Sequence, residues 1–166
     1  MILTVLVIVG TGLGLTRDID KGWEAYEKGD YNSALAHFLP LAVMGDSDAQ
    51  ALLGYMYTYT QYDDKDFPRN PEKAIYWYTK AAEQGNWNSA LELGYWYTDG
   101  EDLDRDYVEA VKWFRIVADL KVPEGSMWLG DIYKDGLGDV PRDYLKAKFW
   151  YEEAATYRDS DPAQLE

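Results

Sequence analysis

Four stretches of the chain place apolar or aromatic residues at i, i+3, i+4, i+7 and i+8: Ala34 to Ala42, Ala74 to Ala82, Ala110 to Ala118 and Ala147 to Ala155. That spacing is one stripe of an α-helix. Between them runs a second pattern, Leu53-Gly54-x-x-Tyr57, Leu93-Gly94-x-x-Tyr97 and Leu129-Gly130-x-x-Tyr133, which recurs after 40 and then 36 residues. The two patterns alternate, so the repeating unit is a pair of helices. The reading predicts an all-α chain with helices at about 18–28, 31–44, 48–60, 71–84, 88–98, 107–119, 123–134 and 144–157, in about four antiparallel pairs.

The helix ends carry their own signals. Asn70-Pro71-Glu72 reads as a cap, a first-turn proline and a first-turn acid. Asp106-x-x-Glu109 has the spacing of a reciprocal capping box, and Asp30 and Asp143 occupy the equivalent cap position. Gly29, Gly45 and Gly85 follow helical runs, where a left-handed residue closes a helix. Gly54, Gly94 and Gly130 fall in mid-helix, where glycine costs about 1 kcal/mol relative to alanine. A loss repeated at one place implies close approach of a neighbouring helix, with Ala74, Ala110 and Ala147 as the expected opposite side.

Taken together, A-x-x-x-L-G-x-x-Y, a loop, and D/N-x-x-x-A-x-x-W-[FY]-x-x-A-A-E-Q-G resemble the Sel-one-like repeat, a cousin of the tetratricopeptide repeat. Residues 71–90, PEKAIYWYTKAAEQGNWNSA, carry the resemblance most fully, and it extends over roughly 20–157. Trp23 to Tyr31 has a tight turn more like a tetratricopeptide pair. The resemblance implies a right-handed α/α solenoid over 18–157 whose concave face receives a protein or peptide. Two turns depart from the pattern: Leu120-Lys121 replaces Gln-Gly, and Thr58 to Gln61 replaces a glycine-rich loop.

Charge narrows the partner. The formal net charge is −14 and the basic residues are scattered singly, so nucleic acid is disfavoured and a basic protein or peptide is favoured. There is no cysteine, which removes disulfides and thiolate chemistry. Residues 1–16 open with MILTVLVIVGTGLGL, apolar and uncharged but shorter than the roughly 20 residues that span a bilayer. They read as a hydrophobic leader of a secretory signal, giving a periplasmic or extracellular protein. A retained membrane anchor and a folded element of a cytoplasmic protein are the alternatives. Val9 to Gly14 imitates a dinucleotide loop, but the third glycine is misplaced and no βαβ unit follows, so no cofactor is expected. Residues 158–166 read as a polar tail.

No residue set supports catalysis. His37 fills the slot held by Trp77, Trp113 and Trp150, and reads as a structural substitute. The serines lie in neither S-x-x-K nor G-x-S-x-G. Acidic Asp99 to Asp106 resembles the start of a calcium loop, but Tyr107 stands where the loop needs glycine and Trp113 where it needs glutamate, so no metal is expected. Binding is assigned instead to the ridge two residues before each signature tyrosine: Tyr55, Tyr95 and Asp131, with Leu52, Glu92 and Trp128 one turn before and Tyr59, Asp99 and Asp135 one turn after. This ridge varies between repeats while the core slots do not. Tyr55, Glu92, Tyr95, Trp128 and Asp131 are therefore the candidate groove for a basic, partly apolar segment. The competing reading is a structural module that self-associates through its end, where Phe149, Trp150 and Tyr151 lie on the last helix.

Overall fold

The computed structural model of the chain describes residues 12–60, 67–100 and 103–159. Among them are eight helices and no strand: α1 (Gly12–Glu27), α2 (Tyr31–Val43), α3 (Ser47–Tyr59), α4 (Pro71–Ala82), α5 (Trp87–Asp99), α6 (Tyr107–Asp119), α7 (Pro123–Asp135) and α8 (Tyr144–Asp159). Consecutive helices pack on one another, and α3 touches α5 more lightly. Nearest-neighbour packing of helix pairs is the architecture of an α/α solenoid. None of the described helices is long and apolar enough to cross a membrane.

The helix limits follow the sequence reading closely except at α1, which starts at Gly12 rather than at 18. The change from apolar to charged residues at Arg17 and Asp18 is a change of composition, not a helix stop, and no proline intervenes. Residues 1–11 of the expected leader and 160–166 of the expected tail lie outside the described residues, and α8 runs on to Asp159.

Among the described residues, side-chain caps start six of the helices. Asp30, Asn70, Asp106 and Asp143 accept from backbone N–H groups two or three residues ahead, as do Asp46 and Asn86, which the pattern had not singled out. The expected capping box at Asp106 is only half made. Glu109 pairs with Lys112, and the Asp106 N–H donates to the Tyr97 carbonyl at 2.9 Å. The same bond recurs from Asn70 to Tyr57 and from Asp143 to Tyr133. Each signature tyrosine thus ties the loop to the next helix through its backbone carbonyl.

The tight turns within the first pair and between successive pairs use a left-handed residue whose own N–H and the next one bond back onto the last helical turn. Gly29, Gly45 and Gly85 supply it, and Lys121 does so at φ 63° where the pattern lacks glycine.

A single contact fixes how the two helices of a pair cross. A Cβ built on Gly54 would lie 2.4 Å from the Tyr78 ring, and one on Gly94 would lie 2.4 Å from Phe114. On Gly130 it would lie 2.5 Å from Tyr151. The group that meets each glycine is therefore the aromatic residue one turn beyond the alanine, not Ala74, Ala110 or Ala147 themselves. Those alanines are buried beside it. The reason is reach: a ring extends further from its backbone than a methyl, so it is the group nearest the glycine. Gly22 and Phe38 make the same contact in the first pair.

Candidate functional site

The first helix of each pair contributes to one aromatic face. Trp23 and Tyr26 of α1 stack at 5.4 Å, and both rings approach Tyr55 of α3, at 5.8 and 5.7 Å. Tyr55 continues to Tyr59 at 4.7 Å. The Tyr59 hydroxyl then donates to the Glu92 carboxylate of α5 at 3.0 Å. One turn further, Tyr95 meets Trp128 of α7 edge-on at 5.5 Å. The 3.6-residue period puts these side chains on one side of their helices, and the glycine–aromatic contacts set the helices close enough to join them.

Two adjoining compartments open on this face. The larger, about 530 Å³, is lined by Tyr59, Arg69, Glu92, Tyr95, Trp96 and Trp128 among others. The smaller, about 310 Å³, lies between α1, α3 and α5 and is lined by Trp23, Leu52, Tyr55, Tyr78, Ser89 and Glu92 among others. Both volumes are in the range of small-ligand sites. Glu92 belongs to both. Of the residues assigned to the groove from sequence, Glu92, Tyr95 and Trp128 come together in the larger compartment and Tyr55 in the smaller. Asp131 lines neither. Its carboxylate accepts from the Tyr151 hydroxyl at 2.6 Å and pairs with Lys134 at 3.1 Å. Burial pushes its carboxyl up, but those hydrogen bonds outweigh burial and hold it below the usual range.

Glu92 behaves in the opposite way. Burial raises its carboxyl above the ordinary carboxylate range, and the Tyr59 hydrogen bond offsets this in part. Tyr59 is itself pushed up to about 12, by burial first and by the neighbouring carboxylate second. The pair is a half-buried negative charge held among rings.

Sequence reasoning missed Arg69 and Trp96. Arg69 precedes the α4 cap, donates through Nε to the Thr58 carbonyl at 3.0 Å, and stands 5.6 Å over the Trp96 ring. Trp96 adjoins Tyr95, so its position in the chain carried the signal. Arg69 lies at the end of a loop, whose path no local pattern sets.

Trp128 also serves the core. It lies flat on Phe114, at 5.3 Å with 5° between planes, and Phe114 is fully buried. Replacing Trp128 with alanine would strip a core contact as well as a groove wall. Elsewhere, His37 is half-buried in the tryptophan slot. The backbone carbonyl of Asp99 accepts from Arg105 at 2.8 Å, within the acidic loop whose residues 101–102 lie outside the described residues.

A family model described as Sel1 repeat matches residues 8–29, 47–86, 87–122 and 123–156, and the last three matches each take one helix pair, α3–α4, α5–α6 and α7–α8. The crystal structure of a Sel1 repeat protein from Oxalobacter formigenes superposes with a TM-score of 0.65 at 33% identity, over 84% of this chain and 54% of that one. The crystal structure of c5321, a protective antigen of uropathogenic Escherichia coli with an SLR fold, gives 0.71 at 30% identity over 89% and 31%. Among curated proteins, the chain is 32% identical over 142 residues to HRD3A of Arabidopsis thaliana, an ERAD-associated E3 ubiquitin-protein ligase component. That match covers 79% of this chain and 20% of that protein. It is 33% identical over 116 residues to chitin synthase regulatory factor 3 of Schizosaccharomyces pombe, covering 69% and 12%. The chain spans less than a quarter of the length of these curated relatives.

Proposed function

The chain belongs to the Sel1-repeat family, and from that premise we propose that it is a non-catalytic adaptor that holds a protein or peptide segment in the groove along α1, α3, α5 and α7. The observation that carries the reading is the groove's make-up: an open aromatic channel through Tyr55, Tyr95 and Trp128, with a half-buried carboxylate at Glu92. Tyrosine and tryptophan offer large contact area at low entropic cost, which suits recognition of a peptide surface. The net charge of −14 steers basic partners toward the chain. Relatives named as a ligase component and as a synthase regulatory factor fit a role in which the repeat serves another protein's activity.

Panning a displayed random dodecapeptide library on the full chain tests this. Enrichment of basic, aromatic-containing peptides that compete for the groove supports the reading. Peptides retained equally by a Tyr55→Ala, Tyr59→Ala variant of normal helicity sink it. These two residues suit the test better than Tyr95 and Trp128, because both are exposed and neither lies on Phe114.

The α8 end favours a second reading, self-association. Leu145 is 82% and Phe149 51% exposed there, beside a cavity of about 400 Å³ lined by Tyr144, Ala147 and Tyr151. Sedimentation velocity over a concentration range decides it: a strict monomer removes this reading. Export through residues 1–16 is likewise proposed, and N-terminal sequencing of the natural protein tests it. A mature chain that still begins at Met1 rejects a cleaved signal.

A further inference from the structure

The two compartments meet at Glu92, and its surroundings differ on the two sides. Among the described residues its carboxylate accepts from the Tyr59 hydroxyl and enters no ion pair. A carboxylate has acceptor sites for about four hydrogen bonds, and a half-buried one gains most from a cation. In the larger compartment a cation is already present, since Arg69 covers the Trp96 face. In the smaller compartment the walls are the rings of Trp23 and Tyr55 with Leu52 and Ala51. Such walls suit the aliphatic stem of a long basic side chain and attract its charged head.

Resting on the reading of the groove as the partner site, we propose that Glu92 is the ion-pair acceptor for a lysine or arginine of the bound segment. That side chain enters through the smaller compartment, while a neighbouring apolar side chain of the same segment fills the larger one. The larger compartment is walled by the rings of Tyr95, Trp96 and Trp128, which suit the apolar side chain. An acidic segment is excluded twice, by Glu92 locally and by the overall charge of −14.

The probes are two acetylated, amidated tetrapeptides, Ala-Lys-Phe-Ala and Ala-Gln-Phe-Ala. Each is titrated into the ¹⁵N-labelled full chain while the indole N–H signals of Trp23, Trp96 and Trp128 are followed. The lysine peptide is expected to shift all three signals and to bind about tenfold more tightly than the glutamine peptide, the size of one charge-assisted hydrogen bond. Glu92→Gln keeps an acceptor for Tyr59 and is expected to erase the preference. Lowering the pH through the raised range of Glu92 is expected to erase it too. The other groups near that carboxylate are Tyr55 and Tyr59 on α3, Tyr78 on α4, Tyr95 and Asp99 on α5, Tyr107 on α6 and Arg69. Equal binding of the two peptides in the groove, or a preference that survives Glu92→Gln, overturns this proposal and leaves the adaptor reading standing. Shifts confined to tryptophans outside the groove, or none at millimolar peptide, overturn both.

Discussion

Replacing Gly94 with alanine sets two effects of opposite sign against each other. Helix propensity alone favours alanine in mid-helix by about 1 kcal/mol. Packing opposes it. The new methyl would lie 2.4 Å from Cε1 and 2.7 Å from Cδ1 of Phe114, where carbon atoms prefer roughly 3.5–4.0 Å. The ring would have to withdraw by about 1 Å on that scale. It cannot do so freely, because Trp128 lies flat on it and Tyr95 meets it edge-on at 5.9 Å. The α5–α6 crossing must therefore open. Overpacking of this kind costs about 1–3 kcal/mol, and the rigid surround puts this site at the upper end. After subtracting the propensity gain, Gly94→Ala is expected to destabilise the fold by about 2 kcal/mol. Urea unfolding followed by circular dichroism at 222 nm measures it, and the double variant Gly94→Ala, Phe114→Leu isolates the clash. A coupling energy of at least about 1 kcal/mol in favour of the double variant is expected. A neutral or stabilised Gly94→Ala would falsify the claim that glycine is there to admit a ring.

Other outcomes follow from single residues. Lys121 holds φ at 63° for lack of a glycine, so Lys121→Gly is expected to stabilise by about 0.5–1 kcal/mol, with an unchanged or lower urea midpoint counting against the strain. The Ser89 and Ser126 hydroxyls are buried without a partner, so Ser126→Ala is expected to be neutral or stabilising in thermal melts. Asn86→Ala removes the cap on Ser89 N–H and is expected to cost about 1 kcal/mol, with the α4–α5 turn showing the fastest hydrogen exchange. Because burial holds the Glu92 carboxyl above its unfolded value, the folded state binds that proton more tightly, and the ionised group weighs against folding at neutral pH. Glu92→Gln is therefore expected to raise the urea midpoint at pH 7, and the gain is expected to vanish below the ordinary glutamate range. A variant less stable at pH 7 contradicts this.

The helix pairs were legible because their signals are local. Caps, left-handed turns and a 3.6-residue stripe each occupy a few consecutive residues, and the structure changes them by a residue or two except at α1. The opposing partner of each glycine was not legible in the same way. Alanine in register looked like the complement, yet a ring one turn further along reaches across. The first pair hid its contact because Lys21-Gly22-Trp23 lacks the Leu-Gly-x-x-Tyr signature, although Phe38 holds the aromatic slot. Asp131 shows the limit of register within the site. It occupies the same helical position as Tyr55 and Tyr95, but its partner is set by Tyr151, a hydroxyl-bearing ring where the previous pair has Phe114. Which rings carry hydroxyls, and where a loop delivers Arg69, are tertiary facts that no periodicity contains.

Glu92 is where fold and groove make different demands. Its register partners on α3 and α7 are Leu52 and Trp128, both apolar, so the fold accepts and prefers an uncharged side chain there. Proteins that break a local rule at one position and keep it elsewhere commonly do so at functional sites. The two expected effects of Glu92→Gln, greater stability at pH 7 and loss of selectivity for a basic peptide, are therefore one argument measured twice. If the carboxylate served the fold, both would fail together. If it serves the groove, a single atom-for-atom exchange separates stability from recognition, and the variant emerges as the better-folded and less discriminating protein.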